Sequence, residues 1–73
     1  MSPHQCRAAR GLLDMSQSLL AEAAGLSLST VVGYERQRRR VSDESIAAMK
    51  AALEAAGVQF TNGKRPGVRM RKS

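Results

Sequence analysis

The sequence predicts an all-α protein, a compact bundle of short helices followed by a short C-terminal tail that is extended or β. Three observations predict it. Serine stands before each of four segments with helical periodicity, at Ser2, Ser16, Ser27 and Ser42; serine is a favoured N-cap because its hydroxyl accepts a hydrogen bond from a first-turn N–H that the helix itself cannot satisfy. Within those segments apolar residues recur three and four positions apart, the period of one helix face. Glycine follows two of them, at Gly25 and Gly57, where a left-handed residue ends a helix with no clash at Cβ.

The first helix opens at Ser2-Pro3, a cap followed by a first-turn proline, and runs from about His4. Cys6, Ala9 and Leu13 share one face, and Met15 and Ser16 end the segment. Ser16 caps a second helix through Leu19, Leu20, Ala23 and Ala24, which Gly25 terminates. Ser27 caps a third, about Leu28 to Arg36, with Val31 and Tyr34 facing inward. Ser42 with Asp43 and Glu44 starts a fourth, since acids in the first turn complement the helix dipole. Its apolar stripe is Ile46, Met49, Leu53 and Ala56, and Gly57 stops it.

The chain then changes character. Val58-Gln59-Phe60 alternates like a strand, Asn62-Gly63 is a turn signal, and Val68-Arg69-Met70-Arg71 alternates again. Pro66 cannot donate to a sheet ladder and belongs at an edge or in the loop. A lone two-stranded hairpin is barely stable in water. The tail therefore packs on the helices, pairs with the tail of a second copy, or stays disordered, and pairing is the favoured outcome. This divides the chain into a helical domain, residues 1–57, and a basic tail, residues 58–73, that is a candidate dimerisation segment.

Composition narrows the chemistry. A chain of 73 residues buries only about 60% of its unfolded surface, so its core must be efficient. Cys6 is the only cysteine and His4 the only histidine, which leaves no disulfide framework and no zinc cluster within one chain. The two lie two positions apart on a helix and do not face each other. No catalytic residues are assigned and no cofactor or metal is expected; Cys6 reads as a small core residue. The formal charge is +6 with a pI near 10.8, which points to a polyanionic partner, nucleic acid above all. The charge is clustered. Arg36, Arg38, Arg39 and Arg40 form one group and Lys64, Arg65, Arg69, Arg71 and Lys72 another, neither containing an acid. No apolar run approaches the roughly 18 residues of a membrane span, and no signal-peptide region is evident, so a cytoplasmic protein with no membrane partner is expected.

Two short helices joined by a tight turn containing glycine make a helix-turn-helix unit. Eight- or nine-residue helices do not hold themselves together, because nucleation is costly. Braced by one another they do, and one of them can then enter the major groove, which is about 12 Å wide. The series Ser16-Gln17, Leu20-Ala21, Ala24-Gly25-Leu26-Ser27, Val31 and Glu35 resembles the phage-repressor, or XRE, class of helix-turn-helix proteins over about residues 6–57. The resemblance implies a bundle of four to five short helices and a transcriptional regulator, a repressor above all, that binds double-stranded DNA as a homodimer on a pseudo-palindromic operator. It also implies site residues. Gln17 matches a glutamine that contacts a DNA phosphate. Leu28, Ser29, Val32 and Gly33 occupy positions that face base edges, and Ser27 and Thr30 sit where backbone or base contacts are common. Arg10 and Glu35 match a buried ion pair between the first and third helices.

The chain also departs from the family pattern. Two residues after Glu35 the family has glycine and this chain has Gln37; further on Val41 stands where proline is usual. A different turn geometry is expected there. Arg36, Arg38, Arg39 and Arg40 in that loop are expected to contact phosphates, the source of sequence-independent affinity. The reading positions carry leucine, serine, valine and glycine rather than the Arg, Asn and Gln that read bases in bidentate fashion. Specificity is therefore expected to be modest and weighted toward backbone, shape and A·T content. The competing reading is a protein-interaction module of the same fold, such as an antitoxin or accessory regulator, whose tail engages a protein partner.

Overall fold

Each expected serine cap is in place. In the computed structural model, which describes residues 1–71, the helices are α1 (Pro3–Leu13), α2 (Gln17–Ala24), α3 (Leu28–Glu35) and α4 (Asp43–Ala55), followed by strands β1 (Val58–Thr61) and β2 (Gly67–Met70). Ser2, Ser16, Ser27 and Ser42 each accept from the backbone N–H three residues on. Ser2 completes a capping box with Gln5, whose side-chain oxygen accepts from the Ser2 N–H at 2.9 Å. Lys72, expected among the tail's basic residues, and Ser73 lie outside the described residues.

The helix ends repeat one device. At α1, α2 and α3 a left-handed residue, Asp14, Gly25 and Gln37 respectively, is followed by a residue whose N–H reaches back to the last turn. Leu26 N–H donates to the Ala21 carbonyl at 2.9 Å and Arg38 N–H to the Gly33 carbonyl at 3.0 Å, the long bond of a Schellman ending. Gln37 thus keeps the turn at φ 55° without glycine. The departure from the family pattern changes the residue there and retains a left-handed turn.

The core consists of Cys6, Ala9, Leu20, Ala21, Val31, Tyr34, Met49, Leu53 and Val58. Leu13 and Ile46 are half-buried and pack against this core, whereas Leu19, Ala23 and Ala56, also in the predicted stripes, are exposed. The tail packs on the helices. β1 and β2 pair antiparallel with Val58 opposite Met70 and Phe60 opposite Val68. Val58 is part of the helical core, and Phe60 and Val68 pack against it. Two polar side chains fasten the hairpin. Gln5 Nε2 donates to the carbonyls of Thr61 at 3.2 Å and Gly67 at 3.1 Å, and Arg71 Nη2 donates to the Glu54 carbonyl near the end of α4 at 2.8 Å. Among the described residues no helix is long and apolar enough to cross a membrane.

Candidate nucleic-acid interface

The buried carboxylate of Glu35 organises the site. It ends α3, where the helix dipole disfavours an anion, and it is only 1% exposed, so it requires compensating donors. Arg10 supplies two, Nε to Oε2 and Nη2 to Oε1, each at 2.6 Å. Gln17 Nε2 donates to Oε1 at 3.1 Å and the Cys6 thiol to Oε2 at 3.1 Å. Arg10 Nη1 also donates to the Met15 carbonyl at 3.0 Å. Donors from α1 and α2 therefore converge on the last residue of α3, and the orientation of α3 is held by hydrogen bonds as well as by packing. Burial pushes the Glu35 carboxyl up, but the bonds from Arg10, Cys6 and Gln17 outweigh it and hold the group below the usual carboxylate range. Burial, then the bond to Glu35, pushes the Cys6 thiol up to about 12; a thiol held protonated is a donor and not a nucleophile. The expected Arg10–Glu35 pair is thus formed, whereas the contributions of Cys6 and Gln17 to it were not expected.

α3 presents its opposite side outward. At 3.6 residues per turn, Val31, Tyr34 and Glu35 point to the core, and Ser29, Gly33 and Arg36 lie on the far side. At the N-terminus of α3, the Ser27 hydroxyl lies 3.1 Å from that of Ser29 and 2.8 Å from that of Thr30, which places three hydroxyls together. Ser27, Leu28 and Ser29 are exposed, Leu28 by 46%, and Thr30 and Val32 are half-buried. Gly33 is different. It occupies the outward side yet is buried, because the Arg39 stem lies over it. Gln17, expected at a phosphate, is half-buried with its amide nitrogen turned to Glu35.

The Schellman ending at Gln37 folds the chain back along α3 and delivers the arginines. Arg36, Arg38, Arg39 and Arg40 are all exposed. The ion pair among the described residues is Arg10–Glu35, so the loop guanidinium groups are uncommitted to carboxylates. A shallow groove beside them is lined by Pro3, Tyr34, Val41 and Ile46, and the Tyr34 hydroxyl donates to the Met1 carbonyl at 2.9 Å.

A helix-turn-helix family model matches residues 7–57, from α1 to the glycine after α4. The chain is an XRE-type helix-turn-helix protein. No curated protein matches it. As an XRE-type protein it is a DNA-binding regulator. The hairpin lies outside the matched region. The residues that sequence reasoning missed at this site are those that join different elements, Cys6 and Gln17 on Glu35 and Arg39 on Gly33; the one available signal was that position 33 carries no side chain of its own.

Proposed function

We propose that this XRE-type protein is a cytoplasmic transcriptional repressor that lays α3 in the major groove of duplex DNA and binds a pseudo-palindromic operator as a homodimer. The observation that carries the reading is the continuity of the outward side of α3 with the arginine loop, where Arg39 rests on Gly33. Hydroxyls and Leu28 meet base edges at the N-terminal end of that surface. Arg36, Arg38 and Arg40 neutralise phosphates beside it, and Gln17 turns its second amide hydrogen to a phosphate at the start of α2. One such surface spans only a few base pairs. A second copy reaches a half-site about 34–36 Å away, one turn along the duplex. Residues 58–71 supply the dimer contact in this reading: a two-stranded sheet leaves each strand with an unpaired outer edge, and Met70 is 45% exposed on it. Repression follows from occupancy, since a bound dimer excludes other proteins from the same stretch of DNA.

The test is selection of bound duplexes from a random pool at about 0.15 M salt, where exposed charges are screened beyond about 8 Å, combined with sedimentation of the protein with and without the selected duplex. A pseudo-palindrome bound by two chains is expected. A monomer in both samples would refute the dimer. Failure to enrich any motif would favour the protein-partner reading, with the hairpin as the docking element.

A further inference from the structure

α3 lacks a side chain at the centre of its outward side. Ser29 precedes Gly33 by one turn and Arg36 follows it by nearly one, and both are exposed, so residue 33 would be expected to be exposed too. It is buried because Cγ and Cδ of Arg39 occupy the space that a Cβ on residue 33 would take. The guanidinium begins one bond beyond Cδ and therefore stays close to this side of the helix. Arg39 is exposed as a residue, which is the usual disposition of an arginine whose apolar stem is covered while its charged head remains in water.

We infer that Arg39 is a specificity-determining residue: it crosses Gly33 and offers its guanidinium to the groove as the base reader that the recognition helix itself lacks. Three points support this. First, the glycine is needed for the approach, since any larger residue at 33 displaces the stem. Second, the stem lies flat on the helix, so the planar fork is partly preorganised and loses less freedom on binding. Third, no carboxylate holds it, the ion pair among the described residues being Arg10–Glu35. An arginine fork presented to the major groove pairs bidentately with O6 and N7 of guanine. Each half-site then contains one guanine within a sequence otherwise read through hydroxyl, methyl and backbone contacts.

This inference rests on the major-groove reading above, and the experiment separates the two. Random-pool selection is run on the wild type, Arg39→Ala, Gly33→Ala and Arg38→Ala, with circular dichroism confirming that each variant is folded. The wild type is expected to enrich a guanine at one position of each half-site. Arg39→Ala is expected to lose discrimination at that position alone, by about 5- to 150-fold. Gly33→Ala, which keeps every charge but displaces the stem, is expected to reduce discrimination at the same position. Arg38→Ala should weaken binding without changing the preferred sequence. If Arg39→Ala weakens all duplexes equally and leaves the motif intact, Arg39 is a phosphate contact and the inference fails while the operator-binding reading stands. If the wild type enriches no motif, both fail.

Discussion

Gln37 sits at φ 55°, a conformation that costs a residue with a Cβ about 1–2 kcal/mol. Its neighbours hold it there, because the bond from the Arg38 N–H back to the Gly33 carbonyl at 3.0 Å depends on that left-handed geometry. Gln37→Gly removes the strain, and the freer unfolded chain offsets about 0.4–1 kcal/mol of the gain. The variant should be more stable by about 0.5–1 kcal/mol in urea unfolding; a loss would mean that the glutamine side chain contributes through contacts of its own. Glu35 predicts an effect in the opposite direction. Glu35→Leu alone strands the Arg10 guanidinium, 18% exposed, and should destabilise by about 3–5 kcal/mol. Adding Arg10→Met should recover more than half of that, measurable as a coupling energy in the double-mutant cycle. The carboxyl also sets an acid limit. Its folded-state pKa lies below the ordinary 4.5, so its contribution is fully present above that value and is lost as pH falls through the folded-state value. Thermal stability of the wild type should drop below about pH 4.5, and a midpoint unchanged from pH 6 to pH 3 would contradict the assignment.

At the scale of elements, the outward side of α3 and the arginine loop that follows it form one surface, and the salt dependence of DNA binding reports the loop's share. Each phosphate contact contributes about 0.9 to the log–log slope of affinity against salt on duplex DNA. Removing Arg36, Arg38 and Arg40 together should flatten the slope by up to about 2.7, with affinity falling for every sequence tested. An unchanged slope would mean that these side chains point away from DNA. The elements themselves were largely legible in the sequence, because caps are local chemistry. Ser2, Ser16, Ser27 and Ser42 mark helix starts through their own hydroxyls, and Gly25 and Gly57 mark ends at φ 70° and 111°. Asp14 and Gln37 take the same left-handed role with side chains that do not announce it. The expected partners Arg10 and Glu35 came from family resemblance. Cys6 on Glu35, Gln5 on Thr61 and Arg39 on Gly33 join residues from different elements, which no periodicity encodes. The tail's strands were legible from alternation, but its docking was not, since that depends on Val58 reaching a core built by the other elements.

For the molecule as a whole, the decisive fastening is the amide of Gln5. Both of its hydrogens are used by carbonyls 56 and 62 residues away, so the beginning of α1 is tied to the two strands at the far end of the chain. Closing so long a loop costs more entropy than any contact among α2, α3 and α4, and the carbonyls repay it only once both strands are paired. Gln5→Leu leaves them without that donor and should destabilise by about 1–3 kcal/mol. The loss should fall almost entirely on one limb of the chevron. The helices close shorter loops than the docked hairpin does, so refolding is expected to keep its rate while unfolding accelerates by about 5- to 150-fold at 25 °C; a slowed refolding limb would overturn this. The amide is then a latch on the native state's lifetime: it decides how long a folded molecule persists before opening, and has little part in how quickly a newly made chain becomes one.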